Sequence, residues 1–246
     1  MSRQSAPRGR VMPALVGWHV RIGEVVGRLF VLHLVWLLGV AAGGVIIGAA
    51  PATLALNAVI RRDLLNQALE AGNLVVAERP GLWREFWRVW RQEFWRAQAI
   101  GAVLLAGWAL FGLDRLVLRG GVGEVTPWLS GLVVVLSVLW AAVTLIVWPV
   151  AVHFDEPLPR VARLVVVLAL SRPAHSLTVL AVAAGWLWLW RACPGLVPVF
   201  GTTLPAWCVA WLYWRSGVLP LPESAVPIEE PDDADVEAAI RALAEH

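Results

Sequence analysis

Long uncharged runs separated by short arginine-rich segments dominate the chain. Residues 29–60 carry no formal charge, and further apolar runs follow at about 97–113, 129–149, 174–190 and 197–214. Runs of roughly 18 or more apolar residues are typical of membrane-spanning helices. The sequence therefore predicts an all-α fold, a polytopic bundle of membrane helices.

The run at 29–60 is long for one span and short for two spans of about 20 residues each. Gly43 and Gly44 lie near its middle, where they favour a turn. Cytoplasmic loops collect arginine: two crossings put 17 arginines on one side and 3 on the other, whereas one crossing gives 12 against 8. We therefore predict six spans with both termini in the cytoplasm, with five spans as the alternative.

The predicted organisation has three parts in a bacterial cytoplasmic membrane. A cytoplasmic segment at 1–24 precedes a transmembrane domain at 25–214, and an acidic, proline-rich cytoplasmic tail occupies 215–246. The six predicted spans lie at about 25–42, 44–60, 97–113, 129–149, 174–190 and 197–214.

Residues 82–96, LWREFWRVWRQEFWR, alternate aromatic residues with arginines. On a helix, one face carries Trp83, Phe86, Trp87, Trp90 and Phe94, and the largely opposite face carries Arg84, Arg88 and Arg91. This pattern predicts an amphipathic helix in the membrane interface, and packing on the protein's own cytoplasmic surface is an equal alternative. Nucleic-acid binding would use the same residue types, but a neighbouring span disfavours it.

Composition agrees with a membrane protein. Hydrophobic residues make up 59% of the chain, charged residues 15%, and the mean hydropathy is +0.69. Soluble domains hold about 45–50% apolar and about 25% charged residues. All 20 basic residues are arginine, which we attribute to codon bias in a GC-rich genome.

Few residues are candidates for chemistry. No Asp or Glu lies inside the five later spans, which disfavours a proton-driven pump. The GxxxxGK[ST], HExxH and GxSxG motifs are absent, so we predict no enzyme activity, cofactor or metal. His153 and Asp155 are two residues apart and do not share a helix face, which favours a structural cluster over a metal site. His33, Thr53 and Asn57 are candidate polar residues of the bundle interior.

The order of several segments resembles the YesL family of bacterial integral membrane proteins. These segments are HLVWLLGVAAG, GAAPATLALNAVIRRDL, LWREFWRVWRQEFWRAQAIG, WPVAVHFDEPLPRVARLVVVLALSRP and PGLVPVFGTTLPAW, which together cover about residues 20–215. The positions that match the family's motifs are Pro51, Ala52, Thr53, Phe86, Trp87, Pro149, His153, Asp155, Pro194 and Gly195. Ala50 and Phe154 depart from the glycine and tyrosine that the family often has there.

The resemblance implies an association with carbohydrate uptake, commonly beside sugar ABC transporters, but no established activity or catalytic residues. We therefore expect a non-enzymatic membrane protein accessory to carbohydrate uptake, with the bilayer and a carbohydrate ABC transporter as partners. The alternative is a transporter of a small solute, whose path His33, Thr53 and Asn57 would line. A membrane-embedded hydrolase ranks third, because it needs a site that the motifs do not provide.

Overall fold

A computed structural model describes residues 11–71, 81–120, 126–154 and 156–217, and within these ranges every regular element is helical. The longer helices are α1 (Val11–Ala42), α2 (Ile46–Ala71), α3 (Leu82–Gln92), α4 (Phe94–Arg119), α5 (Thr126–His153), α6 (Leu158–Ser171) and α7 (Pro173–Ala192). A short 3₁₀ turn (Pro194–Leu196), α8 (Val197–Phe200) and α9 (Thr203–Arg215) follow. The predicted all-α fold is confirmed for the described residues.

Helices α1 and α2 form an antiparallel hairpin. The chain reverses at residues 43–45, where Gly44 adopts a φ of 73°, a backbone conformation that glycine reaches without strain. Trp36 on α1 donates a hydrogen bond to Thr53 on α2, with 3.3 Å between Nε1 and Oγ1. Farther from the turn, Arg28 and Asp63 form an ion pair of 2.5 Å. The turn predicted at Gly43 and Gly44 is confirmed.

Helix α2 is the centre of the bundle. It contacts α1, α3, α4, α5 and α9. Leu54, Ala55, Leu56 and Leu64 point in different directions around the helix, yet each is at most 4% exposed. A helix that is apolar all round is one that neighbours cover on every side.

Helices α4 and α5 form a second antiparallel hairpin. Near its middle, the indole of Trp140 on α5 donates a hydrogen bond of 3.3 Å to the carbonyl of Leu104 on α4. At its open end, the guanidinium of Arg96 donates to the carbonyls of Phe154 and Glu156 at 3.1 and 3.0 Å. Arg96 thereby joins the start of α4 to the end of α5.

Three described helices are long and apolar enough to cross a membrane: Gly23–Ala42, Phe94–Arg119 and Pro127–His153. Two bent pairs raise the number to five if each pair is one span: Leu158–Ser171 with Pro173–Ala192, bent by 96°, and Pro194–Phe200 with Thr203–Arg215, bent by 67°. The predicted spans at 174–190 and 197–214 fall in these bent pairs. The predicted span at 44–60 falls in α2, whose uncharged part at 46–60 is too short to qualify.

The contacts of the hairpin turn correct the predicted orientation of the second and third spans relative to each other. The side-chain amide of Gln98, near the start of α4, donates a hydrogen bond to the carbonyl of Ile47, near the start of α2. The six-span prediction places these residues at opposite faces of a hydrocarbon core about 30 Å thick. Helices α2 and α4 instead begin at the same end of the bundle. The five-span alternative agrees with the upper number of candidate spans, although 29–60 turns back on itself at 43–45.

The end of α9 lies at this same end of the bundle, because the rings of His153 and Trp214 are 5.9 Å apart. Helix α1 begins at the opposite end, since it runs toward the hairpin turn. Residues 1–10 and 218–246, which hold most of the predicted terminal segments, lie outside the described residues. The prediction of two cytoplasmic termini therefore receives no support from the positions of these helices.

Candidate functional site

Helix α3 is fixed to the α1–α2 hairpin by Phe86, which is completely buried. The phenyl ring lies over Gly39 of α1: a Cβ added there would be 2.8 Å from Cε1 of Phe86 and 3.3 Å from Cβ of Ala52. Only glycine leaves room for this ring. Two motifs of the sequence, Pro51–Ala52–Thr53 and Phe86–Trp87, therefore meet at Gly39.

A buried carboxylate gives α3 a second attachment. The side chain of Glu85 is only 8% exposed and accepts hydrogen bonds from the guanidinium groups of Arg62 on α2 and Arg88 on α3. Removing one partner of such a buried ion pair strongly destabilises the fold, because the other charge stays buried and unpaired. Sequence reasoning assigned no role to Glu85.

The residues predicted for the membrane interface divide into a buried and an exposed set. Phe86 is buried, whereas Trp87, Trp90 and Phe94 are half-buried and form a chain of ring contacts at 5.1–5.7 Å between neighbouring centroids. Trp83 is 55% exposed, and Arg84, Arg88 and Arg91 are exposed. The aromatic face of α3 thus turns largely toward the protein, and its entry into the membrane interface stays a prediction.

The helix is also shorter than expected. It ends at Gln92, Glu93 forms a turn, and α4 begins at Phe94. The predicted continuous helix at 82–96 is therefore two helices. Trp95, in the first turn of α4, is 81% exposed and was not among the predicted interface residues.

Pro51 explains the contact between α2 and α4. Proline has no backbone N–H, so residue 51 cannot donate to the carbonyl four residues earlier, which belongs to Ile47. The amide of Gln98 supplies the missing donor. One turn farther along α4, Gly101 packs against the methyl group of Ala50. Pro51 thus frees a carbonyl for a hydrogen bond between helices.

The predicted interior polar residues are linked by a network of hydrogen bonds and one ring contact. His33 and Asn57 are buried, at 2% and 3% exposure, and Thr53 is half-buried. The ring of His33 stacks on Trp36 with centroids 5.6 Å apart, and the indole of Trp36 donates to Thr53. Asn57 donates a bond of 2.8 Å to the carbonyl of Thr53. These contacts bring His33, Thr53 and Asn57 together between α1 and α2.

The network continues to the break between α8 and α9. Nδ1 of His33 lies 3.2 Å from the hydroxyl of Thr203, and the ring packs against the backbone of Gly201. The indole of Trp186 on α7 donates a bond of 2.6 Å to the carbonyl of Gly201. The hydroxyl of Thr202 is buried and has no hydrogen-bond partner in the described structure. His33 therefore packs directly on a helix break, an arrangement that the sequence did not suggest.

The remaining motif residues lie apart from this network. Pro149 is buried near the end of α5, and the ring of His153 contacts those of Phe154 and Trp214. Asp155 lies outside the described residues, and Pro194 and Gly195 are exposed. No group of three or more His, Cys, Asp or Glu side chains within the described ranges could hold a metal ion.

Among the open cavities on the outside of the described helices, one lies on α3 and another between α4, α5 and α6. The first, which we call the arginine recess, has a volume of about 650 Å³ on α3 and is lined by Trp83, Arg84, Trp87, Arg88, Arg91 and Gln92. The second, the lateral groove, has a volume of about 290 Å³ and opens between α4, α5 and α6. The side chains that line the lateral groove are all apolar, and Ala99 and Ala162 are among them.

Comparison with known proteins gives the chain its relatives. A family model described as "Protein of unknown function, DUF624" matches residues 29–115, which contain the α1–α2 turn, α3 and most of α4. Similar proteins of Bacillus subtilis (strain 168) include YteU, 26% identical over 193 residues that cover 78% of this chain and 82% of YteU. YesL is 33% identical over 162 residues, 66% of this chain and 71% of YesL.

YesV of the same organism is 28% identical over 188 residues, which cover 74% of this chain and 82% of YesV. All three relatives are described as uncharacterized proteins. No solved structure matches the chain. The extent of the match to YesL, together with the family match over the first membrane helices, shows that the chain belongs to the DUF624 family of YesL-like proteins.

Proposed function

We propose that the chain is a non-enzymatic accessory protein of a bacterial cytoplasmic membrane, which assists carbohydrate uptake by binding a membrane helix of an ABC transporter. The resemblance of its motifs to the YesL family supports carbohydrate as the class of solute. The proposed mode of binding is supported by the lateral groove between α4, α5 and α6.

The groove suits a helix of another membrane protein. Helices α4 and α5, which form two of its walls, are both long and apolar enough to cross a membrane. Lipid tails are as apolar as leucine, so helices associate in a bilayer through close packing at small residues. Ala99 and Ala162 provide such small positions in the groove, which is otherwise lined mainly by branched side chains.

Filling the groove tests this proposal. In the variant Ala162→Trp, an indole occupies the place of the partner helix. Ala181→Trp on α7 introduces the same ring at another exposed alanine outside the groove and is the matched control. We expect affinity capture from native membranes in mild detergent to recover a transporter component with the wild type and the control, but not with Ala162→Trp. Equal recovery by the three proteins would exclude the groove, and recovery by none would contradict the accessory function.

A second candidate function, transport of a small neutral solute, is favoured by the packing of His33 on the helix break at Gly201 and Thr202. Discontinuous helices form the substrate sites of many membrane transporters. Vesicles reconstituted with the pure protein would then show saturable solute flux that falls in His33→Ala and Asn57→Ala. Absence of flux across a panel of sugars and polyols would remove this candidate.

A further inference from the structure

The arginine recess on α3 combines two kinds of side chain along neighbouring rows. Arg84, Arg88 and Arg91 recur at helical spacing on one row, and Trp83 and Trp87 lie one turn apart on the adjacent row. No acidic residue lines the recess. Glu85, the one acid within α3, is buried and bonded to Arg62 as well as to Arg88. The recess therefore carries a clear excess of positive charge.

The recess is held in place before any ligand binds. Phe86 and Glu85 attach the opposite face of α3 to the α1–α2 hairpin, so the arginine row belongs to a rigid part of the bundle. Because the backbone of α3 is already ordered, binding to this row costs less conformational entropy than binding to arginines of an unstructured segment. This distinguishes α3 from an arginine-rich segment that merely lies in solvent.

The recess is also close along the chain to a candidate membrane span. Arg91 precedes Phe94, the first residue of the candidate span α4, by less than one helical turn. Trp95 follows at once and is 81% exposed. Tryptophan concentrates at the level of lipid headgroups, because its ring is apolar and its N–H is polar. The exposed indoles of Trp83 and Trp95 precede and follow the arginine row along the chain.

We propose that the arginine recess binds the phosphate group of an anionic phospholipid. Guanidinium groups form paired hydrogen bonds with phosphate oxygens, and an arginine keeps its charge at the membrane surface. A zwitterionic lipid has the same phosphate but adds a cationic group, which the three arginines repel. The recess therefore selects lipids of net negative charge. This inference rests on the proposed membrane location but not on the transporter partner.

Lipid selectivity can be measured on the full chain by native mass spectrometry. The protein is taken from vesicles of equimolar phosphatidylglycerol and phosphatidylcholine, and retained lipids are counted. The test variant carries Arg84→Gln, Arg88→Gln and Arg91→Gln. The control carries Arg160→Gln, Arg163→Gln and Arg172→Gln, which removes three arginines that are also exposed. Both variants keep the helix, since glutamine has a helix propensity close to that of arginine.

We expect the wild type and the control to retain phosphatidylglycerol in preference to phosphatidylcholine. The test variant should lose this preference by about tenfold or more, since each basic residue near the surface contributes to attraction of anionic lipid. Addition of inorganic phosphate should leave the retained lipid in place, and its displacement would show a site for free phosphate instead. Equal selectivity in the test variant and the wild type would overturn the proposal, as would an equal loss in both variants. The transporter-capture experiment on the groove is unaffected by either result.

Discussion

Helices α2 and α4 begin at the same end of the bundle and are both largely apolar, yet they have opposite surroundings. Ala52, Ala55 and Leu56 of α2 have no exposed surface, whereas Leu105 and Leu113 of α4 are 65% and 60% exposed. In the most apolar part of α4, only 11% of the residues are buried inside the protein. Most apolar side chains of α4 therefore face outward, whereas α2 is covered by other helices.

The difference is visible in the kind of residue rather than in overall hydropathy. Lipid and the protein interior are equally apolar, so burying a leucine in either gives no preference between them. Small and hydrogen-bonding residues do give a preference. Ala52 lies close to Gly39, on which Phe86 packs, and Thr53 and Asn57 form hydrogen bonds within the protein. A helix with both features is one that other helices cover.

The largest expected effect tests whether α2 and α4 begin at the same side of the membrane. It is a difference in thiol labelling that is either present or absent. Cysteines are placed at Ile46 beside the hairpin turn, at Pro157 beside the end of α5, and at Gly120 at the far end of α4. All three positions are exposed. An impermeant thiol reagent applied to intact cells should treat positions 46 and 157 alike and position 120 oppositely. If position 46 instead matched position 120 and differed from 157, the original six-span order would be restored.

Loss of the packing of α3 against the α1–α2 hairpin should have the next largest effect, a loss of stability. Phe86→Ala takes away a completely buried ring that packs on Gly39, and such changes cost about 3–5 kcal/mol. Trp95→Ala removes a larger ring that is 81% exposed at the start of α4 and is the control. We expect Phe86→Ala to lower the unfolding midpoint in detergent and to speed tryptic cleavage within α3. Equal resistance to trypsin in the two variants would show that Phe86 does not hold α3.

A matched pair of insertions compares the two helices directly. Ala55 on α2 is fully buried and Ala109 on α4 is exposed. Overpacking a filled core costs about 1–3 kcal/mol. Ala55→Leu should therefore lower the unfolding midpoint in detergent, whereas Ala109→Leu should leave it unchanged. A similar loss in both variants would mean that α4 is also covered, for example by a second copy of the chain.

The sequence was sufficient for the helical class, the turn at Gly43 and Gly44, and the burial of His33 and Asn57, because each depends on local composition. It was insufficient for the neighbours of each helix. Arginine counting assumes that successive apolar runs alternate in direction, and the contact between Ile47 and Gln98 breaks that assumption. Polar Gln98 within an apolar run was the available signal, since a side-chain amide in lipid needs a partner.

Two contacts could not be predicted from the sequence for a different reason: the ion pair of Glu85 with Arg62 and the packing of His33 on Gly201. Each joins residues that are distant along the chain. In the sequence, Glu85 looks like an ordinary solvent-exposed residue of an arginine-rich helix, and none of its neighbours along the chain indicates that it is buried. Only the docking of α3 through Phe86 places its carboxylate against α2.

The smallest expected effect concerns the hydrogen bond that joins α2 to α4. Gln98→Ala removes the donor to the carbonyl of Ile47, which Pro51 leaves without a backbone partner, so we expect a loss of about 1 kcal/mol. Pro51→Ala restores a backbone N–H at the position that can bond to the same carbonyl. In that background, Gln98→Ala should cost much less, and the double-mutant cycle should show a coupling free energy close to the single loss. Unfolding midpoints of the four proteins in one detergent measure this coupling. Strictly additive losses would mean that Gln98 stabilises the bundle by some route other than the carbonyl that Pro51 exposes.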